Sequence, residues 1–178
     1  MLPNKRNGQA GMTLTELMMA LAVLGVLVGM SAPYLQDTLR NWRITSQTND
    51  LLSDFGAARG QAAGLSVTVT VCASSNGTSC TGSWDQGRLI FTDPDADAAI
   101  DAGDTIVRKI SAINSSTTLA AANLSTAGRV QFRPTGMASG VTGGGATFKF
   151  CDSRTGPHGR TVTLSATGRS SSSTVNCP

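Results

Sequence analysis

With 178 residues and a net charge of +3, the chain is long enough for one domain with a real core plus an accessory segment, and too weakly basic to point by itself to nucleic acid. Only 14% of residues are charged, against roughly 25% in an average soluble domain, and the abundance of Gly, Ser and Thr suits β-structure with many turns. The four Cys contain no C-x-x-C, which excludes the usual zinc and thioredoxin spacings, and the single histidine, His158, cannot complete a multi-histidine metal centre.

Residues 1–11 are polar and carry Lys5 and Arg6 with no acid. From Met12 to Tyr34 run 23 residues with one charge, Glu16. At about 1.5 Å per residue, a helix of that length covers a bilayer core of roughly 30 Å. The basic residues ahead of it predict a cytoplasmic N-terminus, with the remainder outside the inner membrane. An ordinary secretory cleavage site would follow the apolar run, but there Ser31-Ala32 is followed directly by Pro33, a poor match. Glu16 lies within the apolar run, where a carboxylate needs a partner, and Pro33 bends the helix or marks its exit from the membrane.

Helical periodicity continues past Pro33 through Leu35, Leu39, Trp42, Leu52, Phe55, Arg59 and Ala62. It predicts one helix over about 13–63, with Gly64 as its C-cap. Strands are then expected at 66–73, 87–92, 105–110, 128–133, 146–151 and 160–165, separated by loops. The stretch 111–127 is ambiguous, and 168–178 reads as a Ser-rich tail. One helix followed by a run of strands argues α+β with an antiparallel sheet.

Cys72, Cys80, Cys151 and Cys177 read as two disulfides in an oxidising compartment, and the sequence permits three pairings. Joining each strand-end Cys to the next along the chain favours Cys72–Cys80 and Cys151–Cys177. No metal is expected. The acidic loop nevertheless places Asp93, Asp95, Asp97, Asp101 and Asp104 at the first, third, fifth, ninth and twelfth places of an EF-hand-like calcium pattern. Ala98 stands where that pattern wants Gly, Asp104 is shorter than its bidentate Glu, and an exposed acidic turn is the simpler reading. Arg154, His158, Arg160 and Arg169 form a basic C-terminal set without an aromatic to stack bases. No G-x-S-x-G elbow or P-loop occurs, so neither an enzyme nor a cofactor is expected.

Gly11-Met12-Thr13-Leu14-Thr15-Glu16-Leu17 strongly resembles the processing signal of type IV prepilins, with Met12 in place of the commoner Phe. The resemblance implies cleavage by the prepilin peptidase between Gly11 and Met12, and methylation of the new Met12 amine. Residues 1–11 would be the leader, and Glu16 the fifth mature residue, paired with the amine of a neighbouring subunit. Pro33 becomes the twenty-second, where family members commonly carry a Pro. The series Leu52, Ala58-Arg59, Ala62, Val69, Cys72-Ala73-Ser74, Cys80, Trp84-Asp85-x-Gly87 and Phe91-x-Asp93 resembles the GspH/FimT subgroup of pilin-like proteins. Cys151-Asp152-x-Arg154, Gly168-Arg169 and Cys177-Pro178 are closer to its pilus branch.

That likeness implies a pilin-like α+β fold: a membrane and filament-core helix over 12–34, and a periplasmic globular domain over 35–178 that includes the second half of the helix. It implies a minor pilin of the type IV pilus system that primes assembly or forms the tip, with other major and minor pilins, the peptidase and the inner membrane as partners. Two alternatives follow from the same likeness. One is a minor pseudopilin of type II secretion. The other is a DNA-binding minor pilin for natural transformation, using Arg154, Arg160 and Arg169. FimT-like members bind DNA through Gly-Arg-x-Arg, whereas here Gly168-Arg169-Ser170-Ser171 lacks the second Arg. Phosphate binding depends on how many cations act together, which makes that departure count.

Overall fold

The computed structural model describes residues 11–125 and 128–178, and within its helix the side chains of residues 31–33 are left out. Lys5, Arg6 and the rest of the expected leader up to residue 10, together with the Pro33 side chain, therefore lie outside the described residues. Among the described residues there is one helix, α1, running Leu14–Leu65. By contact density the chain divides into residues 1–39 and 40–178, which are taken in turn.

In the first unit, α1 is apolar enough over one stretch to cross a membrane, with a mean hydropathy of 2.0. The large apolar side chains described there, from Met12 to Leu39, are all exposed. The helix begins with a capping box. The Thr13 hydroxyl accepts the Glu16 N–H at 3.3 Å, and the Glu16 carboxylate accepts the Thr13 N–H at 3.4 Å. Two of the amide donors orphaned at a helix start are thereby satisfied. Glu16 also sits in the first turn, where the helix dipole favours a negative charge.

In the second unit, the rest of α1 buries Ile44, Thr48, Leu51, Phe55, Ala58 and Ala62. Their alternating steps of four and three keep one stripe of the helix on the sheets. This stripe differs from the sequence expectation: Trp42 is 73% exposed, Arg59 is exposed, and Leu52 is only half-buried at its edge. The helix also runs past Gly64 to Leu65. The reversal falls at Ser66, whose φ of 57° lies in the left-handed region that ends many helices.

The strands that follow among the described residues are β1 Val69–Ala73, β2 Gly87–Thr92, β3 Thr105–Ser111, β4 Thr118–Ala122, β5 Arg129–Phe132, β6 Ala138–Ser139, β7 Ala146–Cys151, β8 Gly156–Leu164 and β9 Ser170–Cys177. They form two sheets, ordered β3-β2-β1-β5-β6 and β4-β7-β8-β9, and all the pairings are antiparallel. The ambiguous stretch supplies β4. The Ser-rich tail is a strand paired with β8 over most of its length. Serines give no apolar alternation, so the sequence carried no sign of β9; its backbone ladder makes it a strand.

In β1 apolar and polar residues alternate, as in Val69-Thr70-Val71, yet all five of its residues are buried. Both its faces are covered. On one side Phe55 lies against Trp84, Phe132 and Phe148, with ring centroids 5.1–6.3 Å apart. On the other, Cys72, Leu89 and Phe91 make a second, smaller core that Cys80, Ile100 and Ile106 partly cover. Gly87, which opens β2, has φ 133°, and a Cβ there would meet the Ser74 and Ile110 carbonyl oxygens at 2.7 and 2.8 Å. That explains a glycine three residues after Trp84.

Candidate functional site

Among the described residues, the segment where processing is expected comprises Gly11, Met12 and the capped first turn of α1. Gly11 and Met12 are exposed and precede the first helical residue, so the peptide bond between them is in accessible, non-helical chain. Glu16 is exposed, and among the described residues its carboxylate accepts hydrogen bonds from Thr13 alone. The capping pattern Thr-x-x-Glu is legible in the sequence and assigns Glu16 a role in its own helix.

The structure joins Cys72 to Cys80 and Cys151 to Cys177, with Cα–Cα distances of 5.6 and 5.8 Å. The first bond stitches the β1 end to its loop within the smaller core. The second ties the end of β9 to β7 across β8. Gly159 lies beneath it: a Cβ there would meet Cys177 Sγ at 2.5 Å and the Phe150 carbonyl at 2.9 Å.

Of the basic C-terminal residues, Arg154, His158 and Arg160 share Asn41 as a neighbour, and Arg169 is set apart. Arg154 is only 12% exposed and grips Asp152, with Nε and Nη2 at 3.0 and 2.8 Å from Oδ2, while Nη2 also donates to Asn41. Arg160 and His158 line a small cleft with Asn41 and Thr45. Arg169 is exposed in the β8–β9 turn, beyond Leu164. At about 3.3 Å per strand residue, the four steps from Arg160 to Leu164 alone span some 13 Å. Asp152 is occupied by Arg154, and among the described residues no Ser–His–Asp constellation forms.

Desolvation alone would raise the Asp152 carboxyl. The side-chain and backbone hydrogen bonds from Arg154, and the charges of Arg154 and Arg40, outweigh it and hold the group below its ordinary value. A depressed carboxyl contributes stability that is present above its unfolded value, near 4, and lost as pH falls through the lower folded value. Arg154→Ala is therefore expected to lower the melting temperature at pH 7, with the gap from wild type closing at about pH 3 and below. Melting curves across that range check this, and a gap unchanged with pH would refute it.

The acidic loop is more ordered than an exposed turn. Asp93 is fully buried, and its Oδ2 accepts hydrogen bonds from the Thr70 hydroxyl, from Gln131 Nε2 at 3.0 Å and from the Ala98 N–H at 3.1 Å. Its carboxylate lies within 4.8 Å of oxygens from Asp95 and Asp97. Ala98, where the calcium pattern wants Gly, takes φ 63° all the same. Asp101 and Asp104 stand apart from that trio and close their own turn, the Asp104 carboxylate accepting the Asp101 N–H at 3.1 Å. The Asp101 carboxyl is raised above its ordinary value by desolvation and by repulsion from Asp95, Asp104, Asp97 and Asp93. Because Asp101 is fully exposed, the repulsion is the cause that carries weight.

A third polar centre was not found from the sequence. Arg88, on β2, is 2% exposed and meets Asp54 of α1, with Nη2 at 2.6 Å from Oδ2; Arg108 of β3 reaches the other oxygen at 2.9 Å. Asp54 sits next to Phe55 on α1, and nothing in the helical pattern marked it as buried. These residues border a cleft of about 500 Å³ that Gln47 and Asp50 also line.

A family model described as type II transport protein GspH matches residues 47–168. The chain belongs to the GspH family. A second model, the prokaryotic N-terminal methylation motif, matches residues 6–32, so the GspH domain follows a pilin-type N-terminus. No curated protein sequence matches the chain significantly. Among solved structures, two crystal forms of the type IV minor pilin FimU from Pseudomonas aeruginosa strain PAO1 are similar. One has 18% identity and a TM-score of 0.52, covering 72% of this chain and 86% of that one. The other has 17% identity and a TM-score of 0.49, covering 72% and 91%. The first likeness establishes a shared pilin-like α+β fold, as the order of helix and sheets suggested.

Proposed function

We propose that this GspH-family protein is a minor pilin of the type IV pilus system. It is held in the inner membrane by residues 12–34, with the β-domain in the periplasm, and it joins the filament to prime assembly or form the tip. A prepilin peptidase cuts between Gly11 and Met12, and the Met12 amine is methylated. Its role is structural rather than enzymatic. The observation that carries this reading is the methylation motif over 6–32 running into an exposed apolar helix that starts on Thr13 and Glu16. In the filament, Glu16 exchanges its weak internal bonds for the charged amine of a neighbour, a stronger partner in a medium without water.

The experiment separates maturation from incorporation. Gly11→Ala is expected to leave a longer precursor on a gel. Glu16→Ala is expected to be cut almost normally yet to fall at least tenfold in sheared filaments. Normal incorporation of Glu16→Ala would refute the charge-pairing account. A GspH-family subunit of a type II secretion filament would mature in the same way but be recovered with secretion pseudopilins. A DNA receptor would show salt-sensitive binding that Arg160→Ala and Arg169→Ala abolish. The engagement of Arg154 by Asp152, and the spacing of the other two, favour the assembly role.

A further inference from the structure

One buried atom in the acidic loop has no hydrogen-bond partner. Asp93 Oδ2 takes three donors, but Asp93 Oδ1, shut off from solvent, takes none. A buried acceptor left unsatisfied is costly, and more so when it belongs to a carboxylate. None of the described residues donates to it. What surrounds the Asp93 carboxylate is more negative charge: oxygens of Asp95 and Asp97 lie within 4.8 Å, and Asp101, farther along the loop, is repelled by all three. Three carboxylates so arranged want a cation rather than another hydrogen bond.

We propose that Asp93, Asp95 and Asp97 bind a calcium ion that pins the β2–β3 loop to the back of the first sheet. Oxygen ligands about 2.4 Å from an ion lie at most about 4.8 Å from one another, which suits the spacing here. All the side-chain donors are hard oxygens, the chemistry of calcium rather than of zinc or copper. Asp95 and Asp97 are exposed, so water can fill the remaining positions. Magnesium fits less well, because it demands a smaller octahedral shell and dehydrates reluctantly. The buried ligand is fixed in advance by Thr70 of β1 and Gln131 of β5, while the two exposed ligands ride on the loop. Ile100, farther along the same loop, partly covers the smaller core, so fixing the loop also seals that core.

The full-length mature chain, purified in detergent and stripped with chelator, is titrated with calcium chloride and its melting followed. A site with dissociation constant near 10⁻⁴ M, usual for extracellular modules, would raise the melting temperature by about 5 °C at millimolar calcium. The double variant Asp95→Asn/Asp97→Asn removes only exposed charges and leaves Asp93 in place. It is expected to fold, to melt in chelator no lower than wild type because repulsion is relieved, and to show no calcium-dependent rise. Absence of a rise in the wild type would overturn the proposal. So would a full rise retained by the double variant, or an equal rise with magnesium.

Discussion

Asp54→Ala is expected to destabilise the protein by about 3–5 kcal/mol, the range for removing one partner of a buried ion pair. The reason lies in what remains. Arg88 is 2% exposed, and Asp54 receives both its Nε, at 3.2 Å, and its Nη2, at 2.6 Å. Without the carboxylate, a guanidinium is left in a nearly dry site. Its Nη1 already has no hydrogen-bond partner, so the local structure has no reserve acceptor to offer. Against a total stability of about 5–15 kcal/mol, this loss is a large fraction, and a fall in melting temperature of about 10 °C is expected.

The other cation is a built-in control. Arg108 reaches Asp54 at 2.9 Å, but its side chain is 52% exposed, and solvent screens what it contributes. Arg108→Ala should therefore change stability by less than about 1 kcal/mol. Replacing the buried pair together, as Asp54→Leu/Arg88→Met, should recover most of the loss, because apolar groups of similar volume need no compensation. Denaturant melts of the three variants check the ranking. A loss below about 1 kcal/mol for Asp54→Ala would mean that water reaches Arg88.

Cys151→Ser/Cys177→Ser is expected to lower stability by about 3–4 kcal/mol, from the entropy of closing a loop with a sequence separation of 26 residues. The Cys72–Cys80 loop, with a separation of 8, should contribute about 2–3 kcal/mol. The larger loss should also be localised. β9 is the outer strand of its sheet, and only Cys177 along it is fully buried. Its attachment rests on hydrogen bonds to β8 and on that one bond, with almost no apolar burial behind them. Limited proteolysis of the reduced or substituted protein should trim the chain after Gly168 while leaving residues 69–164 protected. Uniform degradation would show that β9 is no weaker than the rest.

These two sites illustrate what the sequence could and could not reveal. Strands such as β2 and β7 were legible to the residue, since apolar and aromatic residues bounded by turns mark them out. β9 was invisible, because Ser-Ser-Ser-Ser-Thr has no apolar period and its strand character comes from a neighbour far along the chain. The stripe of α1 was displaced from Trp42 toward Ile44, because periodicity identifies a helix more securely than it identifies which face will be covered. At the N-terminus, the methylation motif and the apolar run occupy adjacent positions, so local reading sufficed to find both. Asp93 is the opposite case. As text it is one of five similar aspartates; only the approach of Thr70 and Gln131, from strands 23 and 38 residues away, makes it buried and different. Asp54 and Arg88, 34 residues apart, were missed for the same reason.

The bare position under the Cys151–Cys177 bond has a consequence for how the oxidised protein checks itself. Only Gly159 leaves room between β7 and β9 for the two sulfurs to meet. A slip of β8 by one residue would bring His158 or Arg160 beneath them and turn every side chain of the strand to the other face. The sulfurs could then not close over it. Oxidation thus works as a proofreading step: the cross-link forms over a correctly aligned ladder and is sterically refused by a misaligned one, so the covalent bond records that the register was right when it formed.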